Sequence, residues 1–101
     1  MVIVQHPVVG TITVQQQPGS VVLRLKGEID VNLRDEASRA LSEALAPGLP
    51  VVLDLSGVTL IGATGLGFLL QCAHACQEAG LPCSVSDVPP TVVRVLVALG
   101  L

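Results

Sequence analysis

The chain alternates between two hydrophobic periods. Thr11 to Gln16 shows a weak period of two. After the turn cluster Gln17-Pro18-Gly19-Ser20 that period returns, with Val21, Leu23 and Leu25 on one side and Val22, Arg24 and Lys26 on the other. This predicts two half-buried strands joined as a hairpin. From Leu33 the period becomes helical. Leu33, Ala37, Ala40, Leu41 and Ala44 share a face, Asn32 precedes them as the N-cap candidate, and Asp35 and Glu36 set carboxylates where they complement the helix dipole. Pro47-Gly48 ends that helix. Val51-Val52-Leu53-Asp54-Leu55 is a short, nearly continuous apolar run, expected at the centre of the sheet and buried on both faces. Ser56-Gly57 is expected to turn the chain and Val58 to Ile61 to extend it. Gly62-Ala63-Thr64-Gly65-Leu66-Gly67 then opens a second helix that runs to about Ala79 and stops at Gly80 and Pro82. Cys83 to Ser86 predicts a short strand. Pro89-Pro90 opens a last helix with Val92, Val93, Leu96 and Leu99 as its apolar face. The order ββαβαβα predicts an α/β fold: a mixed sheet of four to five strands flanked by helices, its parallel part following the hairpin.

Composition narrows the function classes. A length of 101 residues fits a single domain over 1–101. Half the residues are apolar, 13% are charged and the mean hydropathy is +0.74, which supports a packed core. The longest nearly apolar stretch, Leu60 to Leu70, is interrupted by three glycines and a threonine and is far shorter than the ~20 residues of a membrane span, so no membrane insertion is expected. MVIVQHPVVG has neither a basic region nor a small-residue cleavage site, and a cytoplasmic location follows as the expectation. A net charge of −3 with Phe68 as the single aromatic residue argues against nucleic acid as a partner. Cys72, Cys76 and Cys83 are odd in number and sparse, which argues against a disulfide framework. His74 falls on a different helical face from Cys72 and Cys76, so core thiols are expected, with no metal site and no cofactor.

The segment Gly62 to Phe68 is the candidate site. A glycine-rich turn from a strand into a helix exposes backbone amides at the positive end of a helix dipole, with the Thr64 hydroxyl beside them. The structural alternative makes Thr64 the N-cap and the glycines relief for tight backbone. Along the helix, Leu66, Leu69, Leu70, Ala73 and Cys76 form one apolar stripe, and Phe68, Cys72, Ala75 and Ala79 form a second beside it. Their combined arc exceeds the ~100° that core packing requires, so the second stripe is expected to serve as a partner surface. Burial of both stripes between the sheet and neighbouring helices is the alternative. His74 falls among the polar positions Gln71, Gln77 and Glu78 and is expected in solvent.

Three motifs in this order, Leu25-Lys26-Gly27-Glu28-Ile29-Asp30, Val51-Val52-Leu53-Asp54-Leu55-Ser56-Gly57-Val58 and Gly62-Ala63-Thr64-Gly65-Leu66-Gly67, resemble the STAS domain family. Within it the chain is most similar to bacterial anti-sigma factor antagonists. The resemblance implies a non-enzymatic partner switch that binds an anti-sigma factor with serine kinase activity and so regulates sigma-factor-dependent transcription. In that family the kinase phosphorylates a hydroxyl at the start of the helix after the central strand, and a phosphatase reverses it. The phosphate adds ≈ −1.5 to −2 charge at the contact face. The family pattern there is Asp-Ser-Ser/Thr-Gly, whereas this chain has Gly62 in place of the acid and Ala63 in place of the first hydroxyl. Thr64 matches the second hydroxyl position and is the remaining candidate acceptor.

The resemblance places the partner contact on Gly62, Ala63, Thr64, Gly65, Leu66, Phe68 and Cys72, with Asp30 and Asp54 as switch-loop neighbours. On the residues alone, Asp30 caps the turn into the first helix and Asp54 hydrogen-bonds a loop. The surplus of apolar surface also admits a homodimer. Two rival readings remain. The same fold serves as a subunit docking on lipid-transport ATPases. Gly-Ala-Thr-Gly also opens some dinucleotide loops, with Asp87 twenty residues after Gly67. Phe68, however, stands where those loops need glycine, and too little chain follows to complete a dinucleotide fold.

Overall fold

The computed structural model describes residues 10–98, apart from the side chains of Thr91, Val95 and Leu96. Strands β1 (Thr11–Gln17) and β2 (Ser20–Ile29) form the hairpin. A single 3-10 turn (Val31–Leu33) leads into α1 (Arg34–Leu45), followed by β3 (Val51–Ile61), α2 (Ala63–Glu78), β4 (Cys83–Ser86) and α3 (Pro90–Ala98). The strands make one sheet in the order β1-β2-β3-β4, with β1 antiparallel to β2 and the other neighbours parallel. Each parallel pair needs a crossover that carries the chain back along the sheet, and α1 and α2 are those crossovers. The predicted order and mixed sheet are both found, with four strands among the described residues.

One sheet face holds the core. Val21, Leu23 and Leu25 of β2 and Val51, Leu53 and Leu55 of β3 are fully buried. They pack with Ala37, Leu41 and Ala44 of α1, with Leu66, Leu69, Cys72 and Cys76 of α2, and with Val92 of α3. The alternate positions Arg24, Val52 and Asp54 turn to the other face and stay partly exposed. The central position of β3 is as predicted, but its burial on both faces is not. Buried side chains of all three helices join the cluster on this face, and the other face carries buried Val22 beside Arg24, Val52 and Asp54.

Three local expectations are corrected. Ser56-Gly57 does not turn the chain. β3 runs through it, and a Cβ on Gly57 would lie 2.7 Å from Lys26 Cγ, so the glycine serves a close approach between strands. The β2–β3 register shifts nearby, between Arg24 and Lys26, which absorbs the irregularity. Asn32 is not the cap of the first helix. Asp30 Oδ1 accepts the Asn32 N–H at 3.0 Å and caps the 3-10 turn, which then feeds α1 without a side-chain cap. In α3, Val92 is buried but Val93 is exposed. The rest of its expected apolar face, the Leu96 side chain and Leu99, lies outside the described residues, as does the N-terminal stretch 1–9 read for a leader sequence. Among the described residues no helix is long and apolar enough to cross a membrane.

The end of α2 follows from Gly80, as expected. Gly80 takes a left-handed φ of +71°, its N–H donates to the Gln77 carbonyl at 3.1 Å, and the Leu81 N–H donates to the Cys76 carbonyl at 2.8 Å. This is the Schellman arrangement, which satisfies the last carbonyls and turns the chain toward β4.

Candidate functional site

β3 hands the chain to α2 at Gly62. Its N–H donates to the Ile29 carbonyl at 3.1 Å, tying the bend to the end of β2, and its own carbonyl accepts the first helical bond from the Leu66 N–H at 3.0 Å. Gly62 is therefore the N-cap, with no side-chain cap, and Thr64 is already inside the first turn. The N-cap reading of Thr64 is corrected. The N–H groups of Ala63, Thr64 and Gly65 have no acceptor within the helix. Ala63 is exposed, Gly62 and Thr64 are half-buried, and Gly65 is buried. The reason for Gly65 is steric: a Cβ there would sit 2.7 Å from the Ile29 carbonyl oxygen and 2.7 Å from Ile61 Cγ1. Its bare backbone lets α2 approach β2 and β3.

Beside the bend, α1 and α2 enclose a groove of about 360 Å³. Ile12, Ile29, Leu33, Ala37 and Phe68 supply its apolar lining, while Asp30, Arg34, Ser38, Thr64 and Gln71 supply polar groups. Asp30 and Thr64 thus line one groove, and the capping role read for Asp30 is found. Sequence reading missed Arg34, Ser38 and Gln71 as members of this site. The signal was available, since 34, 37 and 38 on one helix and 64, 67, 68 and 71 on the other are each a helical face.

The second stripe of α2 is not a surface at its start, although Ala75 is half-buried and Ala79 exposed. Phe68 is 6% exposed and Cys72 0%, and Leu66 is also buried. The cause is α1, which packs along the flank of α2 and supplies a second wall beyond the sheet. Phe68 and Cys72 are therefore core residues, although Phe68 also lines the groove. Leu70 and Ala73, expected in the core, are exposed, Leu70 at 49%. Leu60, two residues before the bend, is 60% exposed and was not foreseen. His74 is exposed as expected, with Nε2 3.1 Å from Glu78 Oε1.

Asp54 does not neighbour the bend. It lies eight residues back along an extended strand, roughly 25 Å away. Its Oδ1 accepts the Ser56 N–H at 3.0 Å and its Oδ2 accepts from Arg24 Nε at 2.9 Å. These two contacts, the Ser56 amide first, hold its carboxyl below the usual range. Its partners are strand residues, Ser56 of β3 and Arg24 of β2, so neither the loop contact nor the switch-loop role expected of it is found. Burial pushes the Cys72 thiol up to about 12 and the Cys83 thiol up to about 11, with neighbouring thiols adding to both. All three cysteines are free. Among the described residues no three His, Cys, Asp or Glu side chains gather to hold a metal ion.

A mixed sheet covered on one face, with the helix that leaves its central strand presenting free amides at an exposed bend, defines a class of small α/β module. The STAS domain model matches residues 11–101, and the chain belongs to that family. It is 26% identical over 92 residues to the anti-sigma-F factor antagonist RsfA of Mycobacterium tuberculosis, covering 87% of this chain and 71% of that protein. It is also similar to the crystal structure of an anti-sigma factor antagonist from Mycobacterium paratuberculosis, with a TM-score of 0.81 and 26% identity, covering 96% of this chain and 83% of the other. The phosphorylated form of the Bacillus cell fate determinant SpoIIAA shares the fold with a TM-score of 0.69 at 18% identity, covering 89% and 84% of the two chains.

Proposed function

We propose that this protein is an anti-sigma factor antagonist, a cytoplasmic binding module without catalytic activity, whose partner is an anti-sigma factor docking on the bend at Gly62 and the first turn of α2. The observation that carries this reading is the open bend. Ala63 is exposed, the amides of the first turn are unpaired within the helix, and Leu60 adds exposed apolar surface two residues away. The two mycobacterial relatives, both named as antagonists, support the choice of partner. The lipid-transport reading has no comparable support among the relatives named above. The dinucleotide reading conflicts with Phe68, a buried core side chain at the position where those loops need glycine.

The partner-switching kinase implied by the resemblance needs an accessible hydroxyl. At the exposed position the chain has Ala63, while Thr64 is half-buried and lines the α1–α2 groove that Asp30 also lines. A phosphate on Thr64 would bring two negative groups into one small groove. We therefore read the protein as a constitutive binder. Incubation with a candidate anti-sigma factor kinase and ATP, followed by mass spectrometry, is expected to leave the wild type unmodified, and modification at Thr64 would restore a switch. Calorimetric titration of the same anti-sigma factor tests the docking site. Ala63→Glu is expected to weaken binding at least about tenfold by desolvating a charge at the contact, and the remote exposed change Gln77→Glu to leave it unchanged. Equal affinity for Ala63→Glu and wild type would remove the bend from the interface.

A further inference from the structure

Among the described residues β1 is an outer strand of the sheet. Its seven residues, Thr-Ile-Thr-Val-Gln-Gln-Gln, contain no charge and no proline, and its register with β2 is unbroken. Edge strands usually carry such interruptions, because unpaired amides and carbonyls otherwise recruit another strand. The Ile12 N–H donates to Glu36 Oε1 on α1 at 3.3 Å, so it points away from β2. Alternate residues of a strand turn their backbone groups the same way, which directs those of Val14 and Gln16 outward too. Along this edge Glu36, Arg39 and Glu43 of α1 line a shallow recess of about 200 Å³ with Ile12 and Val14. None of these three charged side chains has an ion-pair partner among the described residues.

We propose that β1 is a homodimer seam, along which two copies pair antiparallel about a two-fold axis near Val14 and join their sheets into one of eight strands. A strand pairing with itself in this sense forms an isologous contact, each copy donating and accepting the same bonds. The charge row on α1 fits a second copy. Reversed about a point near the middle of the helix, an acid-base-acid row brings Arg39 of each copy onto Glu43 of the other, twice per dimer. The seam is independent of the bend at Gly62 and of the function proposed for it.

Sedimentation equilibrium from micromolar to near-millimolar concentration tests the seam, with circular dichroism and melting curves to check that each variant is folded. The wild type is expected to show a reversible monomer–dimer equilibrium. Gln16→Pro is compatible with an edge position whose N–H points outward. It removes two symmetry-related hydrogen bonds and is expected to weaken the dimer roughly thirtyfold. If that variant does not fold, Val14→Lys reads the same edge by setting two like charges directly opposite each other on the axis. Arg39→Glu and Glu43→Arg are each expected to weaken the dimer roughly fivefold, and the two together to restore it, because the reversed row is again complementary to itself. A wild type that stays monomeric throughout, including one whose edge takes a different protein, overturns the proposal. So does a dimer insensitive to the change on β1, or a double variant no tighter than the singles.

Discussion

Asp54 keeps its charge for local reasons. It accepts from the Ser56 amide and from Arg24, whose Nη1 also donates to Gln15 Oε1 at 3.1 Å, so one cross-strand network spans β1, β2 and β3 on the open face. The folded carboxyl therefore holds its proton less tightly than its ordinary value of 3.8. A depressed folded value means that the contribution is present above the unfolded value and is lost as pH falls through the folded one. Asp54→Asn is expected to lower stability by about 1 kcal/mol at neutral pH, the scale of a partly exposed pair with one further hydrogen bond. Urea melts of variant and wild type are expected to converge below pH 3.8. A deficit that persists at low pH would show that packing, not charge, sets the role of this residue. Phe68 carries the opposite lesson. Its burial makes Phe68→Asp a fold-breaking change that says nothing about partner contact.

At the scale of the element, α2 shows what periodicity can and cannot reveal. The face through Leu66, Leu69 and Cys76 was legible, because apolar spacing of three and four marks one side of a helix. The identity of the second wall was not. Phe68 and Cys72 are apolar whether α1 or a partner covers them, and only the packing of α1 decides. The glycines were legible as a group but not individually, since the sequence does not say what a missing Cβ would have touched. In space they separate sharply. Gly65 faces the Ile29 backbone at 2.7 Å, whereas Gly67 has nothing within 4 Å. Gly65→Ala is expected to cost about 3 kcal/mol, since a backbone carbonyl cannot move aside like a side chain. Gly67→Ala is expected to gain about 0.8 kcal/mol from helix propensity. Thermal melts are expected to show a drop of more than about 10 °C for the first and a rise of roughly 3–6 °C for the second. Equal shifts would show that α2 packs less closely on β2 than the contact at Gly65 requires.

Across the whole molecule, the hairpin, both crossovers and the central place of β3 follow from alternation, helical spacing and the rule that parallel neighbours need a crossover. Coverage of the sheet does not follow from those patterns. Val52 and Asp54 look like a two-sided buried strand next to Val51, Leu53 and Leu55, yet they lie on the open face beside Arg24. This asymmetry has a dynamic consequence. β2 and β3 are bonded on both edges and packed beneath α1 and α2, so their amides open only when the core does. β4 has four residues, one bonded edge among the described residues and an exposed Val85, and α3 leaves Val93 and Val97 exposed while burying Val92. Few buried contacts and one-sided bonding mark the segments that open below the global free energy. Native-state hydrogen exchange is therefore expected to find the slowest amides at Leu23 to Leu25 and Leu53 to Leu55. Those of α3 are expected to exchange at least about a hundredfold faster, an opening some 2.7 kcal/mol below global unfolding. Equal protection of α3 and β3 would mean that the last helix is fastened by contacts stronger than the single buried face of Val92, and the module would then open as one cooperative unit.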